Sequence, residues 1–187
     1  MKTSLVIFCA AFVLLFSSCS SSRKTTRPQV NDNSTLRSTV VIKNKVPVKI
    51  INTKNVSANE LVKFAETLKG IRYKYGSMKK ENGFDCSGFI SYVFTHFKIP
   101  VPRTSVDFTN AGKEVLPEFS RRGDIILFTG SNAKSGVVGH MGIITQNKNG
   151  DIQFIHASES RGVMISGMNS YFLPRFVKVN RVFSNFK

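Results

Sequence analysis

The order of the periodic patterns along this chain is the feature that most constrains its fold. Two apolar patterns at helical spacing come first, and short strand-like segments separated by Gly, Asn and Ser follow. The first helix is predicted to begin at the capping box from Ser57 to Glu60 and to stop at Gly70. The second is predicted to begin at Cys86 and to end before Pro100. Helices followed by a meander of strands indicate an α+β fold.

The strand-like segments are short and are joined by short connections, which favours antiparallel pairing. They cover residues 124–128, 140–145, 152–156, 163–166 and 176–182. Residues 147–150 predict a hairpin turn between the second and third of these segments. We therefore expect N-terminal helices packed on an antiparallel sheet of about five to six strands.

The first 18 residues have the pattern of a secretory signal peptide. Met1-Lys2 gives a positive start, and residues 5–16 form an almost unbroken apolar run that is too short to cross a bilayer. The segment Phe16-Ser17-Ser18-Cys19 resembles a bacterial lipobox, in which the cysteine is lipidated and becomes the new N-terminus. This resemblance predicts a lipid anchor on Cys19, and the alternative is an ordinary cleaved signal with an incidental cysteine.

Residues 19–56 predict a lipidated N-terminus and a flexible basic tether, and residues 57–187 predict the folded domain. Residues 40–51 fit either an edge strand or a basic approach segment. The net charge of +16 indicates an anionic partner, either a phospholipid surface or a carboxylate-rich cell wall. Nucleic acid is not expected, because the chain has no zinc-finger spacing and no RNP-like aromatic motif.

Cys86 is the one thiol expected in the mature chain, since Cys9 leaves with the signal peptide and Cys19 carries the lipid. No intramolecular disulfide is then possible. A lone cysteine followed by His140 and His156 in strand-like segments is typical of a thiol nucleophile, its base and the group that orients the base.

A cysteine at a helix N-terminus next to an imidazolium is expected to have a lowered pKa and to form a thiolate near neutral pH. Asp85 opposes that effect. Two other interpretations stay open: Cys86 as an inert core residue, and the strand histidines as hydrogen-bonded core groups. A metal site is not expected, because positions 86, 140 and 156 contain no close ligand pair, and His96 is predicted to lie on the surface.

Five segments in order resemble the motifs of the NlpC-like cell-wall cysteine peptidases, and the small Gram-negative lipoprotein endopeptidases are the nearest subgroup. They are Asp85-Cys86-Ser87-Gly88-Phe89, Val101-Pro102-Arg103-Thr104-Ser105, Arg122-Gly123-Asp124-Ile125-Ile126-Leu127-Phe128, Gly139-His140-Met141-Gly142-Ile143 and Phe154-Ile155-His156-Ala157-Ser158. The resemblance covers most of residues 57–187. It implies a circularly rearranged papain-like fold, with the cysteine on a helix packed against an antiparallel sheet.

The resemblance also implies roles for individual residues. Cys86 matches the nucleophile, His140 the base and His156 the third polar residue of the triad. Tyr73 matches a tyrosine that helps to bind the oxyanion, and Tyr75 is its nearby competitor.

Four more positions match family residues outside the triad. Asp85 and Ser87 match positions that bind the free amine of the stem peptide in some relatives. Arg103 and Ser105 belong to a loop motif that is structural or faces the substrate.

Taken with the signal peptide, these features predict an exported, membrane-anchored peptidoglycan endopeptidase that needs no cofactor or metal. The resemblance to the family allows two targets: the D-glutamyl–diaminopimelate bond within a stem peptide, or the D-alanyl–diaminopimelate cross-link between stems. Two alternatives remain: a non-catalytic wall-binding lipoprotein, and an amidase or acyltransferase with the same nucleophile. The sequence makes no prediction of the oligomeric state.

Overall fold

The computed structural model describes residues 48–183 of the 187-residue chain. The predicted signal peptide, the predicted lipidation residue Cys19 and most of the predicted tether lie outside these residues. Within residues 48–183, no helix has both the length and the apolar character of a membrane span. Lys49 forms a single parallel bridge to Ala111, and Ile51 is buried in the core. The domain start at residue 57 stays a prediction.

Two α-helices lie within the described residues, and both predicted helix starts are confirmed. Helix α1 covers Ala58–Glu66, and its capping box is complete: Ser57 accepts from the N–H of Glu60, whose carboxylate accepts from the N–H of Ser57. Helix α2 covers Cys86–His96. It begins where it does because the Asp85 carboxylate accepts a hydrogen bond from the backbone N–H of Gly88.

The strands form two sheets in the part of the chain that the structure describes. The first pairs β1 with β2, and the second contains six antiparallel strands in the spatial order β3-β8-β4-β5-β6-β7. The strands are β1 (Met78–Lys79), β2 (Gly83–Phe84), β3 (Lys113–Val115), β4 (Ile125–Thr129), β5 (Val138–Lys148), β6 (Asp151–Ser158), β7 (Gly162–Gly167) and β8 (Phe176–Arg181). Three 3₁₀ helices, Val106–Asn110, Pro117–Phe119 and Leu173–Arg175, lie in the connections.

The α+β architecture and all five predicted strands are confirmed. The short strands β1, β2 and β3 are additions that the sequence pattern does not predict. Strand β3 has three residues at the edge of the sheet, and both Lys113 and Glu114 are exposed, so it carries no alternation of apolar and polar residues.

Helix α2 packs on one face of the large sheet and brings its first residue to the end of strand β5. Phe89, Ile90, Val93 and Phe94 are fully buried on this helix, in a core shared with residues of α1, β5 and β6. A second, smaller core contains Phe128, Phe154 and Phe172 among others. Each fully buried side chain of this size contributes about 2–3 kcal/mol.

Strand register sets the positions of the two histidines. Strands β5 and β6 pair with Ile143 opposite Ile155. His140 and His156 each lie an odd number of residues from this pair, so both side chains are on the face of the sheet opposite to Ile143 and Ile155. Both lie at the open end of the β5–β6 hairpin. In the next strand, Met164 is opposite His156, and Ser166 lies two residues further on the same face. The register therefore places one polar side chain on each of three adjacent strands along a diagonal.

Candidate active site

Cys86 is the first residue of helix α2 and is largely buried, with 9% of its surface exposed. Its thiol lies 3.7 Å from the carbonyl oxygen of Gly139, to which it donates. Gly139 directly precedes His140 in strand β5. The helix and the sheet therefore bring Cys86 to the peptide bond that leads into His140.

Gly88 allows the start of α2 to lie against the loop before it. A Cβ atom at this position would lie 2.1 Å from the carbonyl oxygen of Ser77, which is a backbone atom and cannot move aside as a side chain would. The same carbonyl accepts a hydrogen bond from the N–H of Asp85 at 2.9 Å. The close approach of these two backbones fixes the position from which Cys86 projects.

His140, His156 and Ser166 form a continuous hydrogen-bonded chain. Nε2 of His140 lies 2.9 Å from Nδ1 of His156, and Nε2 of His156 lies 2.9 Å from Oγ of Ser166. The predicted pairing of the two histidines is confirmed. The ring of Phe172 packs against both imidazoles, with centroid distances of 6.1 Å to His140 and 5.3 Å to His156.

For His140 to act as a base, the hydrogen bonds among these three side chains require one particular tautomer of each histidine. Nδ1 is the ring nitrogen of His140 that His156 does not use, and it must be free of a proton to act as a base. Nε2 of His140 then carries the proton and donates to Nδ1 of His156. Nε2 of His156 in turn donates to Ser166, whose oxygen accepts.

Burial keeps the histidines and the thiol uncharged. Burial lowers the pKa of His140 to about 4. Burial, with the charge of His140 second, lowers the pKa of His156 to about 3. Burial and then the charge of Asp85 raise the pKa of Cys86 to about 11, against smaller lowering effects of nearby backbone N–H groups and Arg103. The expected thiolate near neutral pH is therefore wrong, because desolvation outweighs the helix terminus.

Asp85 and Ser87 hold Arg103. The guanidinium of Arg103 donates to both carboxylate oxygens of Asp85, at 3.1 and 2.8 Å, and to Oγ of Ser87 at 2.9 Å. Asp85 is 7% exposed, whereas the Arg103 side chain is 39% exposed. Ser105, two residues later, precedes the 3₁₀ helix Val106–Asn110 and makes no side-chain cap to it. The arginine neutralises the carboxylate beside the thiol and presents its own outer edge to solvent.

The two candidate tyrosines lie in different environments. Tyr73 is half-buried, forms a bridge to Phe84 and packs against the main core. Burial, followed by the charges of Cys86 and Glu159, raises the pKa of Tyr73 to about 12, and the partner of its bridge, Phe84, lies two residues before Cys86. Tyr75 is 86% exposed. Of the two, Tyr73 is the tyrosine that is packed into the core close to the start of helix α2.

Other candidate groups contribute nothing to this site. His96 is exposed, as predicted, and stacks on Phe64 with a centroid distance of 3.7 Å. Among residues 48–183, no group of three or more His, Cys, Asp or Glu side chains could hold a metal ion.

Sequence reasoning missed Ser166 and Phe172 as parts of the site. Ser166 was placed in a predicted strand, and its alternation within that strand puts it on the face of Met164, whose partner is His156. The strand register would have been needed to find it. Phe172 lies outside the predicted strands, and no pattern in the sequence marks it as a neighbour of His140.

Comparisons with known proteins identify the family to which the chain belongs. The model of the NlpC/P60 family matches residues 70–181. The chain is 40% identical over 119 residues to the murein DD-endopeptidase MepS/murein LD-carboxypeptidase of Escherichia coli K12, covering 62% of this chain and 58% of that protein. It is 33% identical over 130 residues to the gamma-DL-glutamyl hydrolase of Bacillus subtilis, covering 68% of this chain and 30% of that protein.

A solved structure shows the same fold. The crystal structure of an NlpC/P60 family protein from Bacillus cereus superposes with a TM-score of 0.62 and 23% identity, covering 70% of this chain and 42% of that one. The chain spans less than two thirds of the length of the curated relatives described here. The family match covers more than half of the chain, and its range contains Cys86, His140, His156 and Ser166. The chain therefore belongs to the NlpC/P60 family.

Proposed function

We propose that this protein is a peptidoglycan endopeptidase that cuts stem-peptide bonds through a Cys-His-His thiol mechanism. The observation that carries the proposal is the hydrogen-bonded chain from His140 through His156 to Ser166, together with the contact of the Cys86 thiol with the carbonyl of Gly139, the residue directly before His140. This arrangement supplies a nucleophile, a base with a free ring nitrogen and a fixed tautomer. The relatives described above are named as hydrolases of murein or of glutamyl bonds, which supports the same substrate class.

The first half-reaction forms a thioester. As the Cys86 sulfur attacks the carbonyl carbon of the scissile bond, its proton moves to Nδ1 of His140. The imidazolium then gives this proton to the leaving nitrogen, the carbon–nitrogen bond breaks, and an amine departs. Because Cys86 and His140 are both neutral at rest, proton transfer accompanies attack instead of preceding it.

The second half-reaction hydrolyses the thioester. Water takes the place of the departed amine, and His140 accepts its proton as the oxygen attacks the acyl carbon. The carbon–sulfur bond then breaks, the proton returns to the sulfur of Cys86, and a carboxylic acid is released. His156 keeps the His140 ring in position through both halves, with Ser166 holding the His156 ring.

Two sets of donors surround the nucleophile. The backbone N–H groups of Cys86 and Ser87, at the start of helix α2, lower the pKa of the thiol, and we assign them to the developing oxyanion. The hydroxyl of Tyr73 remains protonated at physiological pH and is a third donor. We assign the binding of the stem peptide to Asp85, Ser87 and Arg103, and of these three Arg103 is the one that reaches solvent.

The proposal includes a location in the cell envelope. A signal peptide over residues 1–18 and a lipid on Cys19 would export the chain and anchor it to a membrane facing the periplasm. The excess of Lys and Arg over Asp and Glu, 27 against 11, favours contact with anionic phospholipid or wall carboxylates over nucleic acid in that location. Replacement of Cys19 by Ser should release the protein from the membrane, which fractionation and immunoblotting would detect.

The test is digestion of purified muropeptides by the wild type and by Cys86→Ala, with products identified by mass spectrometry. Wild type should give new amine and carboxylate ends, and Cys86→Ala should lose activity by about 10³-fold or more. His140→Ala should match it, whereas His96→Ala is the control outside the site. Undigested muropeptides that still bind the protein would favour a non-catalytic wall protein, and acyl-transfer products would favour an acyltransferase.

A further inference from the structure

A cavity of about 470 Å³ opens on the side of His140 and His156. Its apolar wall is made by Phe128, Met164 and Phe172, and its rim by the β6–β7 turn, residues 159–161. Gly139 belongs to both sites: its carbonyl accepts from the Cys86 thiol, and its backbone lines the cavity. Cys86 itself does not line it. The cavity therefore adjoins the nucleophile but lies on the histidine side of the scissile bond.

The cavity carries a positive charge. Arg161 and Arg175 line it, against the single carboxylate of Glu159. Within residues 48–183, neither arginine forms a salt bridge. Both arginines are therefore available to an anionic ligand.

The two arginines differ in how firmly they are held. Arg175 donates to the carbonyl of Tyr171 at 2.8 Å, and its guanidinium lies 4.0 Å from the centroid of the Tyr171 ring. Arg161 is exposed at the end of the β6–β7 turn. One arginine thus forms a fixed wall, and the other can adjust to a ligand at the rim.

Two buried polar atoms on residues of the cavity wall have no hydrogen-bond partner within the described chain. They are Oγ1 of Thr129 and Nε of Arg175. Thr129 is only 4% exposed, so bulk solvent does not hydrate its hydroxyl. Native proteins leave few such groups unpaired, because each costs about 1–3 kcal/mol. Both atoms are themselves buried and are not ligand contacts; the charge of the two guanidinium groups that line the cavity is what favours an anionic ligand.

The direction of the reaction identifies which half of the substrate reaches this cavity. The acyl half stays bonded to Cys86, whereas the amine half departs beside His140, which protonates it. We propose that the cavity binds the leaving half and that Arg161 and Arg175 recognise a free carboxylate on it, close to the leaving nitrogen. This inference rests on the proposed endopeptidase function and deepens it. The substrate class is a peptide whose scissile nitrogen belongs to an amino-acid centre with an unblocked carboxyl group, as at a cross-link or before a C-terminal residue.

The experiment uses two cross-linked muropeptide dimers that differ in one group. In the first, the carboxyl group on the carbon that carries the scissile nitrogen is free, and in the second it is amidated. Wild type should cleave the free acid with a kcat/KM about tenfold higher than the amide, as expected for loss of a charge-assisted contact. The readout is the ratio of the two kcat/KM values.

Arg161→Glu should reduce this ratio to about one or below, since the rim charge is reversed. Lys148→Glu makes the same charge change at the far end of β5, roughly 26 Å from His140 along the strand, and should keep the wild-type ratio and activity. Equal cleavage of the two dimers by wild type, or an unchanged ratio in Arg161→Glu, would overturn the inference and leave the endopeptidase standing. Failure of wild type to cleave either dimer would instead overturn the proposed function, and this inference with it.

Discussion

Asp85 combines two roles that can be separated by substitution. Its carboxylate caps helix α2 through the N–H of Gly88 and forms a two-pronged ion pair with Arg103. The same negative charge raises the pKa of Cys86, whereas the charge of Arg103 lowers it. We therefore expect Asp85→Ala, Asp85→Asn and Arg103→Gln to give three different combinations of stability and thiol pKa.

The stability changes follow from the contacts that each variant loses. Asp85→Ala removes a cap worth about 1 kcal/mol. It also breaks the ion pair with Arg103, and it leaves the N–H of Gly88 buried without a partner, so the whole change should cost about 3 kcal/mol. Arg103→Gln removes only an ion pair whose arginine is 39% exposed, so its cost is at most about 1 kcal/mol. Asp85→Asn keeps a capping oxygen and should also cost about 1 kcal/mol.

Urea unfolding followed by circular dichroism measures these differences, and a total of about 3 kcal/mol for Asp85→Ala corresponds to roughly 10 °C in Tm. The rate of Cys86 alkylation by iodoacetamide as a function of pH measures the thiol pKa. The thiol pKa should fall in Asp85→Asn and rise in Arg103→Gln, because the two removed charges have opposite signs. This account of the helix start would be refuted if the thiol pKa shifted in the same direction in Asp85→Asn and Arg103→Gln. It would also be refuted if the Asp85→Ala variant were as stable as the Arg103→Gln variant.

Three further predictions concern the histidine chain and the helix start. Ser166→Ala removes the oxygen that accepts from His156, so kcat should fall about tenfold with little change in KM. Ser166→Thr keeps a hydroxyl and should restore most of the lost kcat, and steady-state kinetics measures both variants. Gly88→Ala must push the start of α2 away from Ser77, so both Tm and kcat should fall, whereas Ser87→Ala should leave Tm closer to wild type. Because the folded pKa values of His140 and His156 are lowered to about 4 and 3, the unfolded chain binds more protons below its ordinary histidine pKa. Stability should therefore be complete above about pH 6.5 and decline as the pH falls towards 4; stability that stays constant across this window in denaturant titrations would contradict the burial of neutral imidazoles.

Local patterns were sufficient to predict the elements that carry the site. The capping box at Ser57 and the start of α2 at Cys86 depend on residues within one helical turn, so the sequence contains the whole cause. The strands with His140 and His156 are long enough to show apolar periodicity. The pairing of the two histidines followed from the short turn at Asn149-Gly150, which fixes the hairpin.

Features that depend on contacts between distant segments could not be predicted. The ion pair of Asp85 with Arg103 joins residues on either side of helix α2, and no periodic pattern links them. The role of Ser166 required the register of β6 with β7. The thiol pKa was predicted in the wrong direction, because a helix N-terminus is visible in the sequence but the depth of burial of Cys86 is not.

The neutral resting state has a consequence for a lone thiol in the exported location proposed here. Oxidants and alkylating reagents react with the thiolate, and both reactions are slow where the thiol pKa is high and the residue, as for Cys86, is only 9% exposed. In the proposed mechanism, turnover avoids this limit, because a bound carbonyl accepts electron density from the sulfur while His140 takes its proton. The burial that contradicts a preformed thiolate thus protects the nucleophile without removing its reactivity towards substrate. In the proposed mechanism, substrate binding places the carbonyl between helix α2 and strand β5 and is the step that makes Cys86 reactive.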